Sequence, residues 1–197
     1  MTRQRQTIQS QDNITAEQLA SIHEVSADDW NGLLPKDYPF LHHAYLRALE
    51  DTGCVGEETG WIPQHLILKS ADQQLLAAMP LYIKKHSYGE FVFDFSWANA
   101  SHQAGLHYYP KWLCAVPFAP VTGPRLLATN RSHRDLLIQQ LDERWQASGH
   151  SSLHLLFLQK PDHLQLTEAG YLMRRDCQYY WFNLSLIHIS EPTRPSQ

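Results

Sequence analysis

Apolar positions along this chain recur at two spacings, one helical and one extended. Between Arg131 and Gln146, the residues Leu137, Leu141 and Trp145 fall on one helical stripe. Asn130 stands ahead of it as an N-cap and Gly149 lies beyond its end, which makes this the clearest helix in the chain. Phe40, Tyr45, Leu46 and Leu49 keep the same spacing behind Pro39, with Gly53 as a stop. A short helix is predicted from the Ser26-Ala-Asp-Asp29 cap through Trp30 to Leu34. Two more are expected over Trp97–Gly105 and Asp162–Ala169, the latter ending at Gly170.

The extended runs are Ala20–Val25, Gln64–Lys69, Leu75–Lys85, Lys111–Val116, Leu153–Leu158 and Tyr171–Phe182. The second and third flank Ser70-Ala-Asp-Gln73 and read as a hairpin. The run LHLLFL at Leu153–Leu158 is apolar throughout, the pattern of a strand covered on both faces. Phe91–Ser96 is aromatic and fits either period. Pro117–Pro124 holds three prolines and Gly123, so it is a rigid loop. The resulting order, β–α–α–β–β–(α)–β–loop–α–β–α–β, implies an α/β fold: a mixed α+β sheet with helices on its faces.

Composition narrows the class. Of 197 residues, 43% are apolar and 18% charged, which is globular and not disordered. A net charge of -4 argues against a DNA-binding protein. An acidic substrate therefore needs a local basic pocket. Cys54, Cys114 and Cys177 are widely spaced and form no zinc or disulfide pattern, which fits reduced thiols in the cytoplasm. The N-terminus lacks a signal-peptide core, and no apolar run approaches the ~20 residues that span a bilayer. Residues 1–15 are expected to be disordered, and 16–183 to form the domain.

Chemistry-bearing side chains gather in three places. Lys84-Lys85-His86-Ser87-Tyr88-Gly89-Glu90 leaves a strand and turns at Gly89. There Glu90 or His86 can take a proton from an attacking amine, and Lys85 and Tyr88 can contact an anionic substrate. A solvated strand end with a structural Glu fits the same residues. Tyr108-Tyr109-Pro110-Lys111 sets phenols beside a cation, so Tyr109 and Lys111 are candidate substrate contacts; aromatic packing under the sheet is the alternative. Val121–Arg125 joins a strand to the Arg131 helix, with Arg125 as a possible anion contact or part of a rigid turn. No metal site is expected, because His42 and His43 are adjacent on a helix and diverge by about 100°. Ser87 lacks a nucleophile elbow.

Several segments together are distinctive. They are Pro39-Phe40-Leu41 with Ala48-Leu49-Glu50; Thr59-Gly60-Trp61 with His65-Leu66; and the run Pro80–Asp94. To these add Tyr108–Lys111 with Val116-Pro117-Phe118, Thr122–Leu127, and the closing Gln178-Tyr-Tyr-Trp181. This pattern resembles the Fem-like predicted N-acyltransferases, the peptidoglycan biosynthesis/recognition proteins of bacteria, from Ser26 to Asn183. The element order is likewise similar to that of the acyl-CoA acetyltransferase (GNAT) fold. The resemblance implies two GNAT-like domains, of which this chain would be the first. It also implies transfer of an acyl or aminoacyl group to an amine of a small molecule or cell-wall precursor. The donor would be acyl-CoA or aminoacyl-tRNA, with no tightly bound cofactor and with Gly123 near the donor. The glycine-rich donor loop of GNAT enzymes is absent, and Pro124 removes one N–H. That departure favours a second reading: a non-catalytic module that recognises a cell-wall precursor or a protein.

Leu184–Arg194 reads LSLIHISEPTR, which resembles, codon for codon, the translation of a transposase-type sequencing adapter. The expectation is that residues 184–197 are an artefactual tail, and that a C-terminal domain of the same protein is missing. The chain would then be an inactive fragment.

Overall fold

The computed structural model describes residues 14–175 and 177. The 184–197 tail, the Gln178–Trp181 segment and most of the expected N-terminal disorder lie outside these residues. Thr15, expected to be disordered, opens the first strand, β1 (Thr15–Leu19). The strand expected at Ala20–Val25 is instead a 3-10 turn, Ile22–Glu24, closed by a capping box between Ser21 and Glu24. Ser and Glu at that spacing favour a helical turn over extension.

Helix α1 (Ala27–Gly32) follows, capped by Ser26, whose side chain accepts from the Asp29 N–H. The helix expected from Pro39 is broken in two. Pro39–Leu41 is a 3-10 turn, and α2 (His43–Asp51) begins only after His42, whose ψ of 137° is not helical. The His43 N–H is satisfied by the Asn31 side chain of α1 at 2.8 Å, so the tertiary partner sets this helix start.

Strands β2 (Trp61–Pro63), β3 (His65–Lys69), β4 (Leu75–Met79) and β5 (Tyr82–Lys84) form two sheets. Leu75–Lys85 was expected as one strand. Pro80 has no N–H to donate, and the chain changes sheet there. The Gln64 N–H donates to Leu81 O at 2.8 Å and stitches the crossing point.

Next come α3 (Phe95–Gln103), β6 (Lys111–Cys114), β7 (Leu127–Ala128), α4 (Arg131–Ser148), β8 (Leu153–Leu155) and α5 (Lys160–Glu168). One sheet has the order β1-β3-β4-β7 and is antiparallel. The other has the order β2-β5-β6-β8, with β6 and β8 parallel. The expected mixed α/β architecture is thus observed. Asn130 caps α4 by accepting from the His133 N–H at 2.8 Å, and Gly149 ends it at φ 69°.

Strand periodicity sorts the core. Leu66, Leu68, Ala77 and Met79 face Leu137, Ile138 and Leu141 of α4. Ile67 and Ala78 point the other way, onto Trp30, Leu41 and Leu46. A third cluster, Trp61, Tyr82 and Leu113, lies on the face of the second sheet that carries the candidate site. No described helix is long and apolar enough to cross a membrane.

Candidate functional site

The site is built on the second sheet. Register places Trp61, Lys84 and Lys111 directly across from one another on β2, β5 and β6, so their side chains form one row. Alternation turns Lys84 inward and Lys85 outward. Lys84 is fully buried, whereas Lys85 is exposed and pairs with Glu57.

Two carboxylates reach over this row from the segment that follows β5. Lys111 Nζ donates to Glu90 Oε2 at 2.9 Å, to Asp94 Oδ2 at 2.6 Å and to Ser87 Oγ at 3.4 Å. The Tyr108 hydroxyl donates to Asp94 Oδ2 at 2.7 Å, and Ser87 Oγ shares a hydrogen bond with the Tyr109 hydroxyl. Lys111 is 0% exposed, Glu90 2% and Asp94 4%. Glu90 Oε1 and Asp94 Oδ1 are buried without a hydrogen-bond partner among the described residues.

The electrostatics follow from burial. Desolvation pushes the Glu90 carboxyl above its usual range, and the attraction of Lys111 offsets only part of this. Burial also pushes Asp94 up, but hydrogen bonds from Lys111 and Tyr108 outweigh it and hold Asp94 low. Two neighbouring carboxyls are therefore driven apart, the arrangement that separates proton acceptors from fixed charges. Burial and the nearby Lys111 push His154 of β8 down to about 4, so it is neutral.

The turn itself is locked. Tyr88 O accepts from Trp61 Nε1 at 3.1 Å and from Lys84 Nζ at 3.2 Å. Gly89 has φ 81°, and an added Cβ would meet the Phe118 ring at 2.6 Å, so both its conformation and its space require glycine. Rings along the turn and α3 stay exposed: Tyr88, Phe91, Phe93, Phe95 and Trp97.

Of the residues singled out from sequence, Glu90, Tyr109 and Lys111 come together in this cluster. His86 borders it; its Nδ1 accepts from the Tyr88 N–H at 3.2 Å, and burial and Lys84 lower its pKa. Tyr88 contributes its backbone carbonyl, while its ring faces solvent. Lys85 lies outside.

Gly123 and Arg125 are also elsewhere, beside the Cys114 end of β6. The Gly123 N–H donates to Phe157 O at 3.0 Å, and its α-carbon sits against the Tyr38 ring. Arg125 is fully buried; it donates to Leu156 O, Tyr38 Oη, Pro124 O and Val121 O. Its backbone N–H and that of Leu126 are taken by Asp162 at 2.6 and 3.2 Å. The N–H groups of Gly123, Arg125 and Leu126 and the Arg125 guanidinium are thus committed within the fold. A separate cleft of about 500 Å³ opens where α4 and α5 begin; Arg131, Arg134, Lys160 and Glu168 line it, and Arg131 pairs with Glu168.

The sequence places Lys84 and Tyr108 in candidate chemical segments and Asp94 in a distinctive run, without marking any of the three as an individual site residue. Their signal was present: Lys84 continues the inward phase of Tyr82, and Asp94 and Tyr108 belong to the same distinctive segments as Glu90 and Lys111.

No curated protein matches the chain. Among solved structures, that of an aminoglycoside antibiotic 6'-N-acetyltransferase from Acinetobacter baumannii is similar over 87% of this chain and 99% of that chain, at 14% identity and a TM-score of 0.48. The sequence model of the FemAB-like family, described as peptidoglycan biosynthesis/recognition, matches residues 21–189. With that match over most of its length, the chain belongs to the FemAB-like family.

Proposed function

We propose that the chain carries an N-acyltransferase site in which Glu90 takes the proton of an attacking amine. The observation that carries this reading is the Glu90 carboxylate: buried, raised in pKa, with one oxygen on Lys111 and the other without a partner among the described residues. A base poised nearer neutrality removes a proton more effectively than an ordinary glutamate held fully ionised. In the reaction the amine nitrogen attacks the acyl carbonyl, its proton passes to Glu90 Oε1, the new C–N bond forms, and the C–S bond of the thioester breaks. The thiolate leaves and is protonated from solvent. Lys111 holds Glu90 and Asp94 in place, while Tyr108 and Ser87 fix Asp94 and Tyr109. The cleft at the start of α4 and α5, where Lys160 and Arg134 join an Arg131–Glu168 pair, is the place where the phosphates of an acyl-CoA donor would meet cations and helix N-termini. A cell-wall precursor bearing an amine is the acceptor class consistent with the family description.

The test uses the full chain with acetyl-CoA and a panel of amino acids and amino sugars, with the N-acetylated product detected by mass spectrometry. Product formation that falls about 100-fold or more in Glu90→Gln, with the acetyl-CoA affinity unchanged, supports the reading. Equal turnover in Glu90→Gln sinks it. A second reading, a non-catalytic recognition module, is favoured by the complete burial of Lys111 and Glu90 and by the committed donors of the Gly123 loop. It is supported if the amines raise the melting temperature without any product.

A further inference from the structure

We propose that Lys84 is a positioning residue that works as a proton-operated latch on the turn carrying Glu90: the neutral amine keeps the turn closed, and the ammonium opens it. The two lysines of the row have different surroundings. Lys111 sits between two carboxylates, whereas Lys84 has one hydrogen-bond acceptor among the described residues, Tyr88 O, and lies 4.0 Å from the centre of the Trp61 ring. An ammonium has three N–H donors. A fully buried one with a single carbonyl and a π-face is under-compensated, while a neutral amine is satisfied by that carbonyl. Burial, opposed by Glu90 and reinforced by Lys111, brings its pKa down to about 7.

The sign follows. An unfolded or hydrated lysine titrates near 10.4, so any state that lets Nζ reach water binds more protons than the closed state. Closure is therefore increasingly favoured as pH rises above about 7, and below that pH the closed state carries the full desolvation penalty. The segment that moves is the turn, because Lys84 Nζ and the turn meet at Tyr88 O. The other charged or titratable groups facing this space are His86 and Glu90 on the turn, Asp94 at the start of α3, Lys111 on β6 and His154 on β8. The latch goes beyond the transferase reading, since it does not require Glu90 to act as a base.

The experiment is amide exchange by NMR on the full chain between pH 5.5 and 8.5, corrected for intrinsic rates. The reporters are the Glu90 and Phe118 N–H groups, which donate to Ser87 O and Gly89 O. Leu66 and Leu68 of β3 are the internal reference. The expected result is that protection at the reporters falls as pH drops from 8.5 toward about 7, by up to about 10-fold per pH unit for one proton, and levels off below that, while β3 stays more protected at each pH. In Lys84→Met the fall disappears. A flat wild-type profile overturns the proposal, and so does a slope that survives in Lys84→Met, which would assign it to His86 or Glu90. If Lys84→Met does not fold, the Lys84 side-chain 15N shift of the wild type decides: no titration between pH 5.5 and 8.5 overturns the latch.

Discussion

Lys84 and Lys85 are neighbours of one chemical type, and the pleat sends one into the protein and the other into water. At the residue scale this decides what each can do. Lys85 forms an exposed ion pair of the kind that contributes little. Lys111, by contrast, is the only described counter-charge within 4.0 Å of Glu90 and Asp94. Replacing it with Met leaves two carboxylates buried and uncompensated. Lys111→Met is therefore expected to lower stability by about 3–5 kcal/mol, measured by urea unfolding. Combining it with Glu90→Gln and Asp94→Asn is expected to restore a large part of that loss. A Lys111→Met protein as stable as wild type would mean the carboxylates are solvated or protonated. The candidate residues Glu90, Tyr109 and Lys111 were legible in the sequence because they sit in dense chemical segments. Arg125 looked equivalent on paper. Only the fold reveals that its guanidinium is enclosed by backbone carbonyls.

At the scale of elements, α4 was legible almost to the residue. Its stripe, cap and stop agree with one another, and the observed helix extends the expected end from Gln146 to Ser148. Asn130→Ala removes the acceptor for the His133 N–H and is expected to cost about 1 kcal/mol, seen as a shifted urea midpoint with an unchanged slope. No shift would mean that another acceptor replaces the cap. Elements whose limits depend on partners were less legible. α2 starts where Asn31 of α1 can meet the His43 N–H. β1 reads as polar because it lies at a sheet edge, where Glu17 pairs with Lys69 at 2.7 Å. The expected strand Leu153–Leu158 is shorter, Leu153–Leu155, and only half-buried, because β8 is the last described strand of its sheet and the chain bends away to bridge Gly123 from Leu158.

At the scale of the whole molecule, the rings around α3 leave apolar surface exposed. Phe93 is 79% exposed and Trp97 54%. Contiguous apolar surface of this kind promotes association. Phe93→Ser is expected to change unfolding free energy by less than about 0.5 kcal/mol and to reduce concentration-dependent association in sedimentation velocity. Association unchanged by the substitution would assign self-contact to another face. The split into two sheets is also a whole-molecule property. It follows from Pro80 interrupting one long extended run and from Gln64 bonding across the crossing to Leu81.

By itself the sequence determined the class of the fold, most of its helices and the segments in which the chemistry lies. These depend on local periodicity, caps and breakers, which act over a few residues. The tertiary structure alone decided which of those residues meet. Glu90, Asp94 and Lys111 converge because β5 pairs with β6 and the turn folds back over both. The environments of Lys84 and Glu90 arise from burial, and burial belongs to the packed sheet and not to any segment of the chain.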